Sequence, residues 1–359
     1  MSNISNSIKQ KIGISLHNKL AHPIKIIKEY IYNYFDNNLN IKFDKFDNFD
    51  PYVSVENNFD LLRITSDHPS RSIHDTYYVN SDTVLRTHTS AHQNELLNKG
   101  YKNFLVTGDV YRKDEIDSKH FNIFHQMEGV CILSDDVNPE NELKKILTGL
   151  IEYLFPNKEY RFNLDYFPFT EPSFEVEVKF ADKWLEILGC GVIHREILDR
   201  LNIKQQGIAF GLGIERLAMI LFDIPDIRYF WTNDVRFMEQ FKDEKIIKFK
   251  PYPKLNPITK DISFWIDYDE VNLLNSGDFA WKNINDFYEW VRDICNDNIA
   301  NVTILDHFYH QKKNKYSMTF RFTIESDLEE TNPSKLETYA NNIMYKMADY
   351  LKEKKYVIR

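Results

Sequence analysis

At 359 residues, with 43% hydrophobic and 14% aromatic side chains, the chain carries enough apolar surface for more than one core. A formal net charge of -9 excludes indiscriminate coating of nucleic acid, and no apolar run approaches the roughly 20 residues that cross a bilayer, so no membrane partner is expected. The three cysteines, Cys131, Cys190 and Cys295, are too scattered for a disulfide framework, and no CxxC or HExxH pattern signals a metal held by the protein.

Residues 1–28 hold five lysines and no acidic residue, and 1–20 reads as an N-terminal extension resembling an organellar targeting remnant. Behind Pro23, the helical spacing of Ile24, Ile27, Ile31 and Tyr34 predicts an amphipathic helix to about Phe35. Pro51 suits the bend or edge of a long strand, and His68-Pro69 marks a turn before a second strand at DTYYV. Ser90 is placed to cap a helix beginning at Ala91. His88, Ser90 and Gln93 then surround that helix start with hydrogen-bonding groups suited to a polar ligand head.

The most informative stretch runs from Leu105 to Val130. An apolar run, a charged loop and an alternating return predict a hairpin, on which Phe124, Gln126 and Glu128 share one face. An aromatic plate, an amide and a carboxylate in a row, with Arg112 on the opposite arm, make a site where a guanidinium grips phosphate while a ring stacks on a base. That is an ATP site built on a sheet.

Next, Leu143, Ile146, Leu150 and Leu154 predict a core helix, and the alternation of Phe174, Val176 and Val178 a strand. Phe167 and Phe169 are expected one strand step apart on one face. The run GIAFGLGIERLAMILF reads as a glycine-rich strand entering an apolar helix, where Arg216 is costly to bury unless an anion meets it. Six lysines between Lys242 and Lys260, with three prolines, mark a linker. The order strand, helix, strand, strand, helix, strand beyond it is that of a ferredoxin-like split fold.

Taken together, the phrases DHPSR, LRTHTSAHQ, GDVYRKDEID with FHQMEGV, YFPFTEPSFE, WLEILGCGV, GIAFGLGIERLAMI and IPDIRYFW resemble the single-chain organellar phenylalanyl-tRNA synthetases of class II, from about His17 to Arg359. The resemblance implies an α+β chain: a class II antiparallel sheet with flanking helices over 21–232, a linker over 233–256, and a ferredoxin-like βαββαβ anticodon-binding domain over 257–359. It implies ATP with magnesium, phenylalanine and tRNA(Phe) as partners, a monomer, and a place in the mitochondrial matrix or another organelle. Arg112 and Arg216 are the implied catalytic groups. Arg112, Asp114, His120, Phe124 and Arg216 are the implied ATP set, although many relatives carry a bulkier residue where Asp114 stands. Gln126, Glu128, His88, Ser90 and Gln93 would take the polar end of phenylalanine, Phe167 and Phe169 its ring edge to face, and Ala209 would floor the pocket. Two rivals stay open: a catalytically silent paralogue, which would tolerate loss of Arg112, Glu128 or Arg216, and an adenylating ligase, which would not need the last hundred or so residues.

Overall fold

The computed structural model describes residues 2–252, 255–274, 278–295, 298–325 and 332–359. A short helix α1 (Asn6–Lys9) precedes α2 (Pro23–Asn37). Pro23 opens α2, and the His22 ring accepts the Ile24 amide at 3.2 Å, satisfying one of the donors that a helix start leaves unpaired. Strands β1 (Asp44–Phe46) and β2 (Tyr52–Ser54), helix α3 (Val55–Asn58), strand β3 (Thr83–Leu85) and helix α4 (Gln93–Asn98) follow. The long strand foreseen around Pro51 is instead two three-residue strands, and DTYYV contributes only a bridge at Tyr78. The Ser54 hydroxyl caps α3 by accepting the Asn57 amide at 3.0 Å, which ends the strand there.

The hairpin is formed by β4 (Asn103–Tyr111) and β5 (Ile123–Ile132), followed by helix α5 (Pro139–Leu154). Then come β6 (Tyr160–Asp165), β7 (Thr170–Phe180), β8 (Lys183–Ile193), α6 (Arg195–Arg200), β9 (Gly207–Gly213), α7 (Ile214–Phe222) and α8 (Val235–Met238). Seven strands make one sheet in the order β1-β4-β5-β9-β8-β7-β6. The sheet is mixed rather than wholly antiparallel, because β1 runs parallel to β4.

Helices α2, α5 and α7 cover one face of this sheet, and the main core lies between. Phe210 of β9 stacks on Phe35 of α2, with centroids 5.6 Å apart and planes at 5°. Gly129 permits this, since a side chain there would collide with the Phe210 ring. Ile8 and Leu16, within the stretch read as an N-terminal extension, are buried in the same core. The stretch read as a linker has Phe237, Phe241 and Phe249 buried in this same core. Its Pro253 and Lys254 lie outside the described residues.

The remaining elements are β10 (Ile258–Asp267), β11 (Val271–Leu273), β12 (Phe279–Trp281), α9 (Ile284–Cys295), β13 (Ile299–His310), β14 (Lys315–Ile324), α10 (Pro333–Glu353) and β15 (Val357–Ile358). Four strands pair antiparallel in the order β13-β14-β10-β15 over a separate core that includes Phe264, Phe287, Phe320 and Met347. The ribbon β11-β12 was not foreseen.

Candidate active site

The opposite face of the large sheet, partly covered by α4 and α6, holds a cavity of about 500 Å³. Register explains its shape. Along β9, Gly213, Gly211 and Ala209 share this face, opposite Gln126, Glu128 and Val130 of β5. The rows are separated by about 7 Å, two residues of strand rise. In the middle row Glu128, Gly211 and Gly189 are neighbours on three successive strands, and the two glycines leave an open floor beside the carboxylate. Phe167 presses its ring onto Gly189, where even a methyl group would clash. Phe167 and Phe169 lie in the turn between β6 and β7, not on a strand, and their rings are stacked at 5.9 Å and 17°. Ala209 is buried in the third row and lines the cavity with them.

Polar groups cluster at the middle row. Ser90 does not cap a helix; a 3-10 turn already starts at Thr89, and the hydroxyl donates to the Glu128 carboxylate. Burial pushes the Glu128 carboxyl up to about 8, against the opposing effect of Ser90. His88 also lines the cavity, and burial together with the Arg112 charge lowers its imidazole to about 3, so it stands neutral. Both ring nitrogens of His88 and both amide atoms of Gln93 are buried without a well-formed hydrogen bond. Buried polar atoms are rarely left so, which points to a polar ligand here. Gln93 is 1% exposed and does not reach the cavity wall.

The third end of the site is cationic. Arg112 donates through Nε to the Thr87 carbonyl at 2.8 Å and lies over the Phe124 ring at 5.2 Å, with its guanidinium facing the cavity mouth. Arg216 is not buried. On α7 its neighbours Ile214, Leu217 and Ala218 face the core while it faces out, half exposed, donating to the Glu186 carbonyl at 2.9 Å and to its carboxylate at 3.3 Å. Asp114 and His120 do not reach the cavity. The Asp114 carbonyl accepts from Arg292 of α9 at 2.8 Å, and His120 holds Asp117 at 2.9 Å on the exposed part of the loop. Burial opposes charge on His120, but Asp117 and the nearby acids outweigh it and raise its pKa.

The family model described as tRNA synthetases class II core domain (F) matches residues 8–241. A phenylalanine–tRNA ligase of Arabidopsis thaliana, named chloroplastic/mitochondrial, is 47% identical across 98% of this chain and 81% of its own length. The mitochondrial phenylalanine–tRNA ligase of Dictyostelium discoideum is 40% identical over 98% of this chain and 88% of its own. The alpha subunit of phenylalanine–tRNA ligase from Aliivibrio fischeri is 46% identical over 52% of this chain and 58% of its own. This chain belongs to the phenylalanine–tRNA ligase family.

Several residues around this cavity carried no individual functional signal in the sequence. Tyr166 and Glu186 line the cavity without having been singled out, although YFPFTEPSFE and WLEILGCGV contain them, and His68, read only as part of a turn, lines it too. Arg86 sits inside LRTHTS and is wholly buried. It pairs with Asp109 at 2.6 Å and donates to the His92 ring at 3.0 Å, in space kept free by Gly108. Arg86 thereby fixes β4 to the segment that carries His88 and Ser90. The C-terminal unit also reaches this region. Asp286 of α9 takes Lys113 at 2.6 Å and His74 at 2.8 Å, and Arg292 holds the Glu115 carbonyl at 2.6 Å, so α9 braces the loop that follows Arg112.

Proposed function

We propose that this chain activates phenylalanine with ATP and attaches it to tRNA(Phe) in mitochondrial translation. The observation that carries the reading is the sequence of three groups: Arg112 at one end, with Arg216 held beside it on the lining residue Glu186, the buried Glu128–Ser90 pair in the middle, and two rings over a small floor at the other. Glu128, Gln126 and Ser90 take the ammonium of phenylalanine, with His88 beside them and Gln93 behind, and Phe167, Phe169 and Ala209 enclose its ring. The phenylalanine carboxylate is then directed towards Arg112. A carboxylate oxygen attacks the α-phosphorus, the bond to the β-phosphate breaks, and pyrophosphate leaves; Arg112 and Arg216 neutralise the developing charge while Phe124 and Arg216 sandwich the adenine. No side-chain nucleophile is required. The terminal ribose hydroxyl of tRNA next attacks the carbonyl carbon, forming the ester and releasing AMP.

Arg216 must exchange Glu186 for phosphate in this scheme, which an exposed ion pair allows at little cost. Glu186 lines the cavity and its hard oxygen donors suit magnesium on a phosphate chain, whereas its register partner Glu177 is held by Arg161 and Asn163, each at 2.6 Å. The cluster Glu115, Asp117 and His120 lies outside the cavity and includes a nitrogen donor already tied to Asp117, so it suits magnesium less well. We assign the C-terminal unit as a ferredoxin-like anticodon-binding domain, supported by its strand order and its two helices, and the protein as a monomer carrying both units. Arg112, Glu128 and Arg216 are all present, against the silent paralogue. The tail speaks against a ligase that ignores tRNA.

Charging of tRNA(Phe) with labelled phenylalanine tests the reading. It should proceed with ATP and weaken steeply with salt, as phosphate contacts release counterions. Formation of adenylate without any charging would reject the tRNA half of the assignment.

A further inference from the structure

The rim of the cavity carries one large aromatic side chain that the amino-acid site does not use. Tyr166 lines the opening yet is 78% exposed. Its loop is nevertheless pinned: the Tyr166 amide donates to Asp165 at 2.8 Å, the Phe167 amide to the Ser173 hydroxyl at 3.2 Å, and Arg63 holds the Pro168 carbonyl at 2.6 Å. The ring of the next residue is fixed against Gly189. An exposed aromatic on a rigid loop is a prepared stacking surface, since little ordering is left for a ligand to bring about.

Geometry says what arrives there. The strands close the cavity from below, and Phe167 and Phe169 close its ring end. A hydroxyl that attacks the adenylate carbonyl must therefore enter through the opening on which Tyr166 stands. We propose that Tyr166 is the stacking platform for the terminal adenine of tRNA and serves the second step alone. This rests on the function proposed above. Stacking of a base on an aromatic face needs no hydrogen-bond code, which suits a nucleotide common to all charged tRNAs.

The test uses the full-length protein with preformed phenylalanyl-adenylate and follows single-turnover transfer to tRNA. Tyr166→Ala should leave phenylalanine-dependent pyrophosphate exchange within about twofold and slow transfer roughly tenfold or more, the loss that truncating a base-stacking ring produces. Tyr166→Phe and Tyr166→Trp should transfer at close to the parent rate. A tRNA whose terminal nucleotide is abasic should transfer slowly with the parent and no more slowly with Tyr166→Ala, because the two changes remove one contact. Transfer by Tyr166→Ala at the parent rate, multiplying losses in that cycle, or failure of Phe to substitute would overturn the proposal. So would equal losses of exchange and transfer, which would make Tyr166 part of the amino-acid pocket. Absence of exchange in the parent would instead strike the underlying function.

Discussion

The Ser90 hydroxyl donates to the Glu128 carboxylate in a wall where both side chains are buried. One hydroxyl does not offset that burial, and the carboxyl is pushed up to about 8. Near neutrality the empty pocket therefore holds Glu128 mostly protonated, and an arriving ammonium must expel that proton. Phenylalanine affinity should weaken as pH falls below about 8, approaching tenfold per unit for one linked proton. Glu128→Gln should flatten the profile and weaken binding. Calorimetry in buffers of different ionisation heat counts the released proton, and pH-independent affinity across this range would contradict the assignment. The same proton sets a sign for stability: the raised carboxyl contributes in full only below the unfolded value of 4.5, and that contribution is lost progressively as pH rises to the folded value of about 8.

Ala209 occupies the third row, one strand step beyond Gly211 and beside the Phe167–Phe169 pair. Ala209→Gly removes a buried methyl and should cost about 1 kcal/mol of stability, leaving the fold intact. The widened floor should improve exchange on para-chlorophenylalanine relative to phenylalanine. Tyrosine should gain less, because its hydroxyl still lacks a partner, at roughly 1 to 3 kcal/mol. Unchanged ratios among the three substrates would remove Ala209 from the floor.

Asp286 joins the two units by accepting from Lys113, whose side chain is 4% exposed. Asp286→Ala leaves that ammonium buried with the Ile73 carbonyl at 2.9 Å and the Tyr77 ring at 5.8 Å but no carboxylate among its described partners, and should destabilise the protein by about 3 kcal/mol. Asp286→Asn, which retains an acceptor, should lose less. Urea denaturation of the three proteins checks this, and an alanine variant as stable as the parent would show that the contact does not hold α9 to the β4–β5 loop.

What could be read in the sequence was whatever local periodicity or a contiguous phrase encodes. Alternation placed Gln126 and Glu128 on one face, and the helical spacing of Ile24 to Tyr34 matched the buried side of α2. Contacts between distant segments were hidden. Arg216 looked buried because its chain neighbours are apolar, but on a helix the next residues point elsewhere, and the carboxylate that meets it comes from Glu186, thirty residues away. His120 and Asp114 belong to the charged loop by sequence but do not line the cavity: the His120 ring holds Asp117, and the Asp114 carboxylate accepts the Glu115 amide at 2.8 Å. The lysine-rich segment gave no sign of being anchored, because what holds it is contact with distant residues: the Phe249 amide donates to the Phe222 carbonyl at 2.6 Å and the Lys250 amide to the Gln240 side chain at 2.8 Å.

Amino-acid-dependent exchange of pyrophosphate into ATP tests the central claim most directly. Phenylalanine should support exchange, tyrosine about a hundredfold less, and Arg216→Ala should lower the phenylalanine rate by roughly two to three orders of magnitude while its Tm stays near that of the parent. Exchange that does not require phenylalanine, or that proceeds unchanged in Arg216→Ala, would contradict the account.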